Sequence, residues 1–254
     1  MDDVNAIERF KKRVQEANLS LFLDYDGTLT PIVGRPERAH LSYTMKEVLR
    51  RLKKRYPLAV VSGRSLDDLM ERVGIPDLVY AGNHGLEIES EEFSYRVERA
   101  HEWRETLSVI AALLDTRLKS FQGALVEYKG LTLSVHYRLV DVREVSRLME
   151  VVRNALAPYR AKGGVKLREG KKVIEVRPPL EWDKGKATTW ILDRGAFRDT
   201  LPIYIGDDET DRDAFKALKN RGLSIVVGHK WKEADYFLKD QSEVKGLLKW
   251  LASC

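Results

Sequence analysis

Cysteine is almost absent from this chain: of 254 residues only the last, Cys254, is one. An intramolecular disulfide is therefore impossible, and a cysteine-ligated zinc site is excluded. Long apolar runs are missing as well. No stretch approaches the roughly 18 consecutive apolar residues of a membrane-spanning helix, so no membrane partner is expected. The opening Met1-Asp2-Asp3-Val4 is acidic and lacks the apolar stretch of a secretory signal. A cytoplasmic location is the default expectation, and a monomer the default state. An excess of one charge sign is lacking too. Lys and Arg number 44 against 39 Asp and Glu, a net charge of +5. The signs are interspersed, as in Glu47-Val48-Leu49-Arg50-Arg51-Leu52-Lys53-Lys54-Arg55. Runs of that kind form solvated helix faces, so nucleic acid is not an expected partner. The chain shows no internal repeat and no low-complexity segment.

What the chain does have is acids where apolar runs stop. Hydrophobic residues make up 43% of it, enough for a sizeable core. Leu21-Phe22-Leu23 runs straight into Asp24-Tyr25-Asp26-Gly27-Thr28-Leu29. This reads as a buried strand releasing carboxylates at its carboxyl end, where ligands bind in open α/β sheets. Two aspartates this close can divide labour, one as nucleophile and the other as acid and base. Tyr204-Ile205-Gly206-Asp207-Asp208-Glu209-Thr210-Asp211 repeats the pattern. Leu58-Ala59-Val60-Val61 ends in Ser62-Gly63-Arg64, and Trp182-Asp183-Lys184-Gly185-Lys186 carries a basic group just before a helical stretch. The acids suit a hard cation with oxygen ligands, most simply Mg²⁺. A hydroxyl, backbone N–H groups and a lysine suit a phosphate. Together these are the parts for phosphoryl transfer, in which positioning and electrostatics dominate. The mild positive charge suits a phosphorylated small molecule.

The periodicity predicts strand and helix in alternation at both ends of the chain. Helix 5–17, strand 19–23, a helix capped by Ser42 and running to Arg55, strand 58–61, helix 65–73 and strand 78–81 come first. Helix 185–192, strand 202–205, helix 210–218, strand 223–227 and helix 242–251 come last. Such alternation gives an α/β fold with a doubly wound parallel sheet. Residues 101–180 differ. A helix over 101–118, a hairpin 125–129/131–139 turning near Gly130, a helix over 141–156 with an Asp141/Glu144 capping box, and a hairpin 165–168/172–177 around Gly170 make an αββαββ insert. The expected domains are thus a core of 1–100 with 181–254, and an insert of 101–180.

In Leu131–Leu139 the odd positions are apolar and the even ones polar, so one sheet face packs on the insert helices. The other is expected to carry Glu127, Lys129, His136, Arg138, Glu175 and Arg177. Carboxylates that accept and ammonium groups that donate suit sugar hydroxyls. Tyr80-Ala81-Gly82-Asn83-His84-Gly85-Leu86-Glu87 follows another strand, and its flanking glycines suggest a tight turn presenting Asn83 and His84.

The four acidic, hydroxyl and lysine segments, in this order, resemble the haloacid dehalogenase-like (HAD) phosphatase superfamily. The resemblance implies a HAD-like core with an inserted C2-type α+β cap. It implies that Asp24 attacks as nucleophile and forms an aspartyl-phosphate, and that Asp26 protonates the leaving alcohol and then activates water. It also implies that Asp24, the Asp26 carbonyl and Asp207 bind Mg²⁺ with support from Asp208 and Asp211, while Ser62 and Lys184 hold phosphoryl oxygens. Gly63 and Arg64 fall in the substrate-binding set. With Asn83-His84, Glu127-Tyr128-Lys129, His136-Tyr137-Arg138 and Val173-Ile174-Glu175-Val176-Arg177 added, the chain resembles the trehalose-6-phosphate phosphatase family. That implies recognition of the sugar phosphate by Asn83 and His84, and of the disaccharide by Glu127, Lys129 and Glu175, with no attached synthase domain. Other readings remain open: a phosphatase for mannosyl- or glucosyl-3-phosphoglycerate or sucrose phosphate, a phosphomutase, or a sugar-phosphate sensor without turnover.

Overall fold

The computed structural model describes residues 4–253; Met1-Asp2-Asp3 and Cys254 lie outside them. Two compact units emerge, Met1–Tyr95 with Asp183–Cys254, and Arg96–Trp182.

The first unit contains strands β1 (Leu19–Leu23), β2 (Leu58–Val61), β3 (Val79–Gly82), β4 (Glu87–Glu89) and β5 (Ser94–Arg96), and, after the insert's four strands, β10 (Leu201–Gly206), β11 (Leu223–Val227) and β12 (Tyr236–Leu238). Their order in the sheet is β12-β11-β10-β1-β2-β3-β4-β5. From β12 to β3 every pairing is parallel; β4 returns antiparallel. All five residues of β1 are buried, as expected of a parallel strand covered on both faces. The apolar run Leu-Ser-Leu-Phe-Leu therefore becomes the centre of the sheet.

Alternation along β1 divides its side chains between two layers. Leu21 and Leu23 join Val60, Ile203 and Ile205 in one apolar cluster. Helices α2 (Tyr43–Lys53), α3 (Leu66–Val73) and α8 (Gln241–Leu251) press Leu49, Leu69 and Leu248 into it. Ser42 caps α2 by accepting from Met45 N at 3.2 Å, and the predicted stripe Met45, Val48, Leu49 and Leu52 is the buried one. On the opposite face Phe22 stacks on Tyr204 and meets Phe197 at a tilt. The helices α6 (Lys184–Leu192) and α7 (Asp211–Ala217) bury Ile191 and Phe215, and Phe215 meets Tyr204 edge-on.

From β1 the chain proceeds to β2 and β3 on one side, and it returns through β10 to β11 on the other. The connections after β1 and β10 thus diverge at the sheet's centre. That is the topological switch point where open α/β sheets place ligands, and it is where the two acidic segments emerge.

The insert runs α4 (Arg104–Leu118), β6 (Leu125–Tyr128), β7 (Leu133–His136), α5 (Val142–Ala161), β8 (Lys166–Gly170) and β9 (Val173–Arg177). Its sheet is antiparallel in the order β6-β7-β9-β8. Leu107, Ile110, Leu114, Leu148 and Val152 from the helices pack on Leu133, Val135, Ile174 and Val176.

Several local expectations are corrected. Strand β7 is shorter than the alternation suggested, and Arg138 lies in the turn after it, donating to the Lys171 carbonyl. The second hairpin turns at Lys171-Lys172, with Lys172 at φ 66°, rather than around Gly170, which still pairs with Val173. Asp141 caps α5 by accepting from Arg143 N at 2.9 Å. Glu144 does not complete a capping box: it reaches forward to Arg147 at 3.2 Å.

Candidate active site

Asp24 leaves β1 with its N–H donating to Ile205 O of β10 at 2.9 Å. The ladder thus continues one residue past the strand and fixes where the carboxylate starts. Its side chain is buried, and Oδ1 accepts from Lys184 Nζ at 2.6 Å. Lys184 opens α6, whose N-terminus Asp183 caps by accepting from Lys186 N. The same ammonium donates to Asp211 Oδ1 at 2.7 Å. Asp211 also accepts from Tyr204 Oη at 2.8 Å, from Asp207 N at 3.0 Å and from Asp208 N at 2.9 Å. With four donors on its two oxygens, its acceptor capacity is filled. It braces Lys184 and the turn that carries Asp207 and Asp208.

Two glycines make this packing possible. A Cβ on Gly206 would sit 2.3 Å from the Asp211 carboxyl carbon. Gly27, at φ +90°, lies so close to Asp207 that a Cβ would stand 2.1 Å from its carboxylate oxygen. Gly27 is thereby the contact that sets the first acidic segment against the second.

Among the described residues, Asp24, Asp207 and Asp211 offer carboxylate oxygens within 4.8 Å of one another, all buried. Burial holds the Asp24 carboxyl well above the usual carboxylate range; Lys184 opposes this, and Asp211 and Asp207 add to it. For Lys184 burial works downward, but Asp211 and Asp24 outweigh it and raise the ammonium above its ordinary value. Three buried carboxylates gathered around one ammonium, with oxygen donors only, fit a divalent hard cation.

Asp26 has different surroundings. Its side chain is 42% exposed, and both oxygens are taken by Arg64, Nε to Oδ2 and Nη2 to Oδ1, each at 2.7 Å. Arg64, expected to touch substrate, is buried and also donates to Asp68 and the Pro36 carbonyl. Ser62 follows β2 directly, with Oγ accepting from Arg64 N at 3.2 Å. Next to it, Asn83 N donates to Arg64 O at 2.6 Å and His84 N to Ser62 O at 2.8 Å. Asn83 and His84 have φ 50° and 59° and are buried. Such strained backbone persists only where surrounding contacts enforce it, and it gathers at functional sites. Asn83 Nδ2 donates to Glu87 Oε2 at 2.9 Å.

Within the insert, the register sets Glu127 opposite Ser134 and Ser134 opposite Glu175, so the three share a face. His136 Nε2 and Glu127 Oε2 are 2.7 Å apart. Lys129 Nζ lies 3.8 Å from Glu175 Oε1, and Arg177 Nε donates to Glu175 at 3.1 Å. Reading the sequence missed Tyr204, the filled acceptor set of Asp211 and the Asp26–Arg64 pair. The sequence signalled only a neighbouring pair: Asp68 and Arg72 stand four residues apart on α3, a spacing that favours ion pairs on a helix.

The sequence profile of trehalose-phosphatase matches residues 22–242. This chain belongs to the trehalose-phosphatase family. It is 40% identical to trehalose 6-phosphate phosphatase RA3 of Zea mays over 253 residues, 92% of this chain and 69% of the maize protein. The solved structure of a trehalose-6-phosphate phosphatase related protein superposes with a TM-score of 0.80 at 26% identity, over 92% of this chain and 97% of that one. A haloacid dehalogenase-like hydrolase from Bacteroides thetaiotaomicron shares the fold at 17% identity, with a TM-score of 0.62 over 93% of this chain and all of that one. The trehalose-phosphatase match contains each site residue named above, from Asp24 to Asp211.

Proposed function

We propose that the protein is a Mg²⁺-dependent phosphoric monoester hydrolase that converts trehalose 6-phosphate to trehalose and inorganic phosphate. The observation that carries this reading is the buried cluster of Asp24, Asp207 and Asp211 around the single ammonium of Lys184. A pure binder of sugar phosphates has no use for a buried carboxylate held ready beside a lysine.

In this reading the Asp24 carboxylate, the Asp26 carbonyl and Asp207 hold the cation, with Asp208 and Asp211 in support. Bound there, the divalent charge would offset the repulsion between the Asp24 carboxylate and a phosphate dianion. Asp24 attacks phosphorus and becomes an aspartyl-phosphate, while the bond from phosphorus to the sugar oxygen breaks. Asp26 gives that oxygen its proton, then takes one from the water that attacks phosphorus, and the Asp24 ester opens to release phosphate. Lys184 orients Asp24 and balances phosphoryl charge. Ser62, whose oxygen already accepts from Arg64 N, keeps its own hydrogen for a phosphoryl oxygen, and the Gly63 N–H is a second donor. Asn83 and His84 recognise the sugar phosphate. Glu127, Lys129, His136 and Glu175 supply acceptors and donors for the disaccharide hydroxyls. The insert acts as the substrate-selecting cap, within a soluble cytoplasmic enzyme.

Phosphate release measured over a set of phosphorylated disaccharides and phosphoglycerate conjugates, with Mg²⁺ and after exhaustive chelation, tests this. The expected result is release from trehalose 6-phosphate that chelation abolishes and Mg²⁺ restores. A preference for a phosphoglycerate conjugate would refute the substrate, and full activity after chelation would refute the metal.

A further inference from the structure

We propose that Arg64 is the positioning residue for Asp26: it sets the carboxylate that protonates the departing alcohol, and it does not itself bind substrate. The inference rests on the reading above, in which Asp26 is the acid. Nε and Nη2 of Arg64 reach the two oxygens of Asp26 at 2.7 Å each. Two parallel hydrogen bonds fix the orientation of a carboxylate as one cannot.

The guanidinium is the immobile member of the pair. Its side chain is 5% exposed, against 42% for Asp26. Nη1 donates to Asp68 Oδ2 at 2.7 Å and Nη2 to Pro36 O at 2.8 Å. The plane lies over the Tyr25 ring, with its central carbon 5.1 Å from the ring centroid. Asp68 is gripped in turn by Arg72 Nε at 2.8 Å, and Arg72 donates to Ala39 O, which also accepts from Tyr25 Oη. The network closes on the residue between Asp24 and Asp26. Two carboxylates here face two guanidinium groups, so the cluster is neutral and exerts little pull on a phosphate dianion. Its function is geometric: Arg64 aims Asp26, and the chain around Tyr25 aims Arg64.

The consequence depends on the leaving group. A sugar alkoxide needs a proton as it departs, whereas p-nitrophenolate leaves without one. The ratio kcat/KM reports steps up to cleavage of the ester bond, so the later attack of water, common to both substrates, does not enter it. The test compares Arg64→Gln, Arg64→Lys, Asp26→Asn and the Arg64→Gln/Asp26→Asn double variant on trehalose 6-phosphate and on p-nitrophenyl phosphate. Both Arg64 variants should lose about 10- to 100-fold in kcat/KM on the sugar ester, in the range of a misplaced general acid, and under about threefold on the aryl ester. Lysine should not rescue, because it keeps the charge but not the fork. The double variant should be no worse than Asp26→Asn, as for residues acting through one another. Equal losses on both esters, rescue by lysine, or additive losses would overturn the proposal. If Asp26→Asn discriminates between the esters and the Arg64 variants do not, only the positioning role fails. If Asp26→Asn itself does not discriminate, the acid assignment fails and the positioning role with it.

Discussion

Lys184 and Lys129 each sit beside carboxylates, in surroundings that have little in common. Lys184 is within 2.7 Å of Asp24 and of Asp211, with Tyr204 and two backbone N–H groups completing Asp211. Lys129 is 3.8 Å from Glu175, beyond hydrogen-bond reach. The core site is interlocked before any ligand arrives. The insert face is paired residue by residue: Glu127 meets His136 at 2.7 Å, and Glu175 takes Arg177 with Lys129 nearby. Chemistry that stabilises developing charge gains from donors fixed in advance, and in the core they converge on Asp24 and Asp211, whereas the insert's acceptors and donors are spread over one sheet face. The same residue types are thus divided between a convergent site and a spread one.

If that division is right, damage to the core should stop turnover of every substrate, and damage to the insert should be selective. The largest effect is expected from Asp24→Asn, which keeps the shape and removes the attacking charge. Steady-state assays should show a loss on the order of 10³-fold or more on both trehalose 6-phosphate and p-nitrophenyl phosphate. Retention of a tenth of the activity on either would break the comparison. Gly206→Ala comes next. Its Cβ would enter the Asp211 carboxylate, so Lys184 and Asp207 lose their brace, and we expect roughly 10- to 100-fold loss on both esters, as for catalytic groups moved by about an ångström.

Glu127→Ala sharpens the comparison from the other side. A hydroxyl left without its partner should cost about 1–3 kcal/mol, a tenfold to hundredfold fall in kcat/KM on trehalose 6-phosphate. The small aryl ester should be nearly unaffected. Equal losses on both would assign Glu127 to folding. The smallest effect is expected at Ser42→Ala, whose hydroxyl bonds only within the start of its own helix. Losing the cap on α2 should lower unfolding free energy by about 1 kcal/mol in denaturant titrations and leave both activities alone.

Much of the core was legible because its chemistry interrupts apolar runs. Asp24, Asp26, Asp207 and Lys184 stand where a buried strand stops or a helix starts, and the parallel sheet follows from the alternation that frames them. The short strands toward the ends of the sheet were not legible. Glu87–Glu89, Ser94–Arg96 and Tyr236–Leu238 each have three residues, too few to display a period. The alternation in Leu131–Leu139 overstated its strand because an apolar/polar rhythm continues through a turn that bends Arg138 toward Lys171. The partners of Asp211 and Arg64 were hidden for another reason. Spacing shows which residues share a face, but not which of several nearby donors fills an acceptor. Arg64 followed a phosphate-like Ser-Gly pair and so suggested a ligand contact; in the fold it turns to Asp26.

The central claim is that Asp24 forms a covalent bond to phosphorus. Acid quenching during turnover of phosphorus-labelled p-nitrophenyl phosphate, whose leaving group needs no acid, with the Asp26→Asn variant used to slow hydrolysis, followed by peptide mass spectrometry, tests it directly. The account predicts a hydroxylamine-labile phosphoryl group on Asp24, absent when Asp24 is also changed to Asn. Phosphate release with no label on Asp24, or label on another residue, would contradict it.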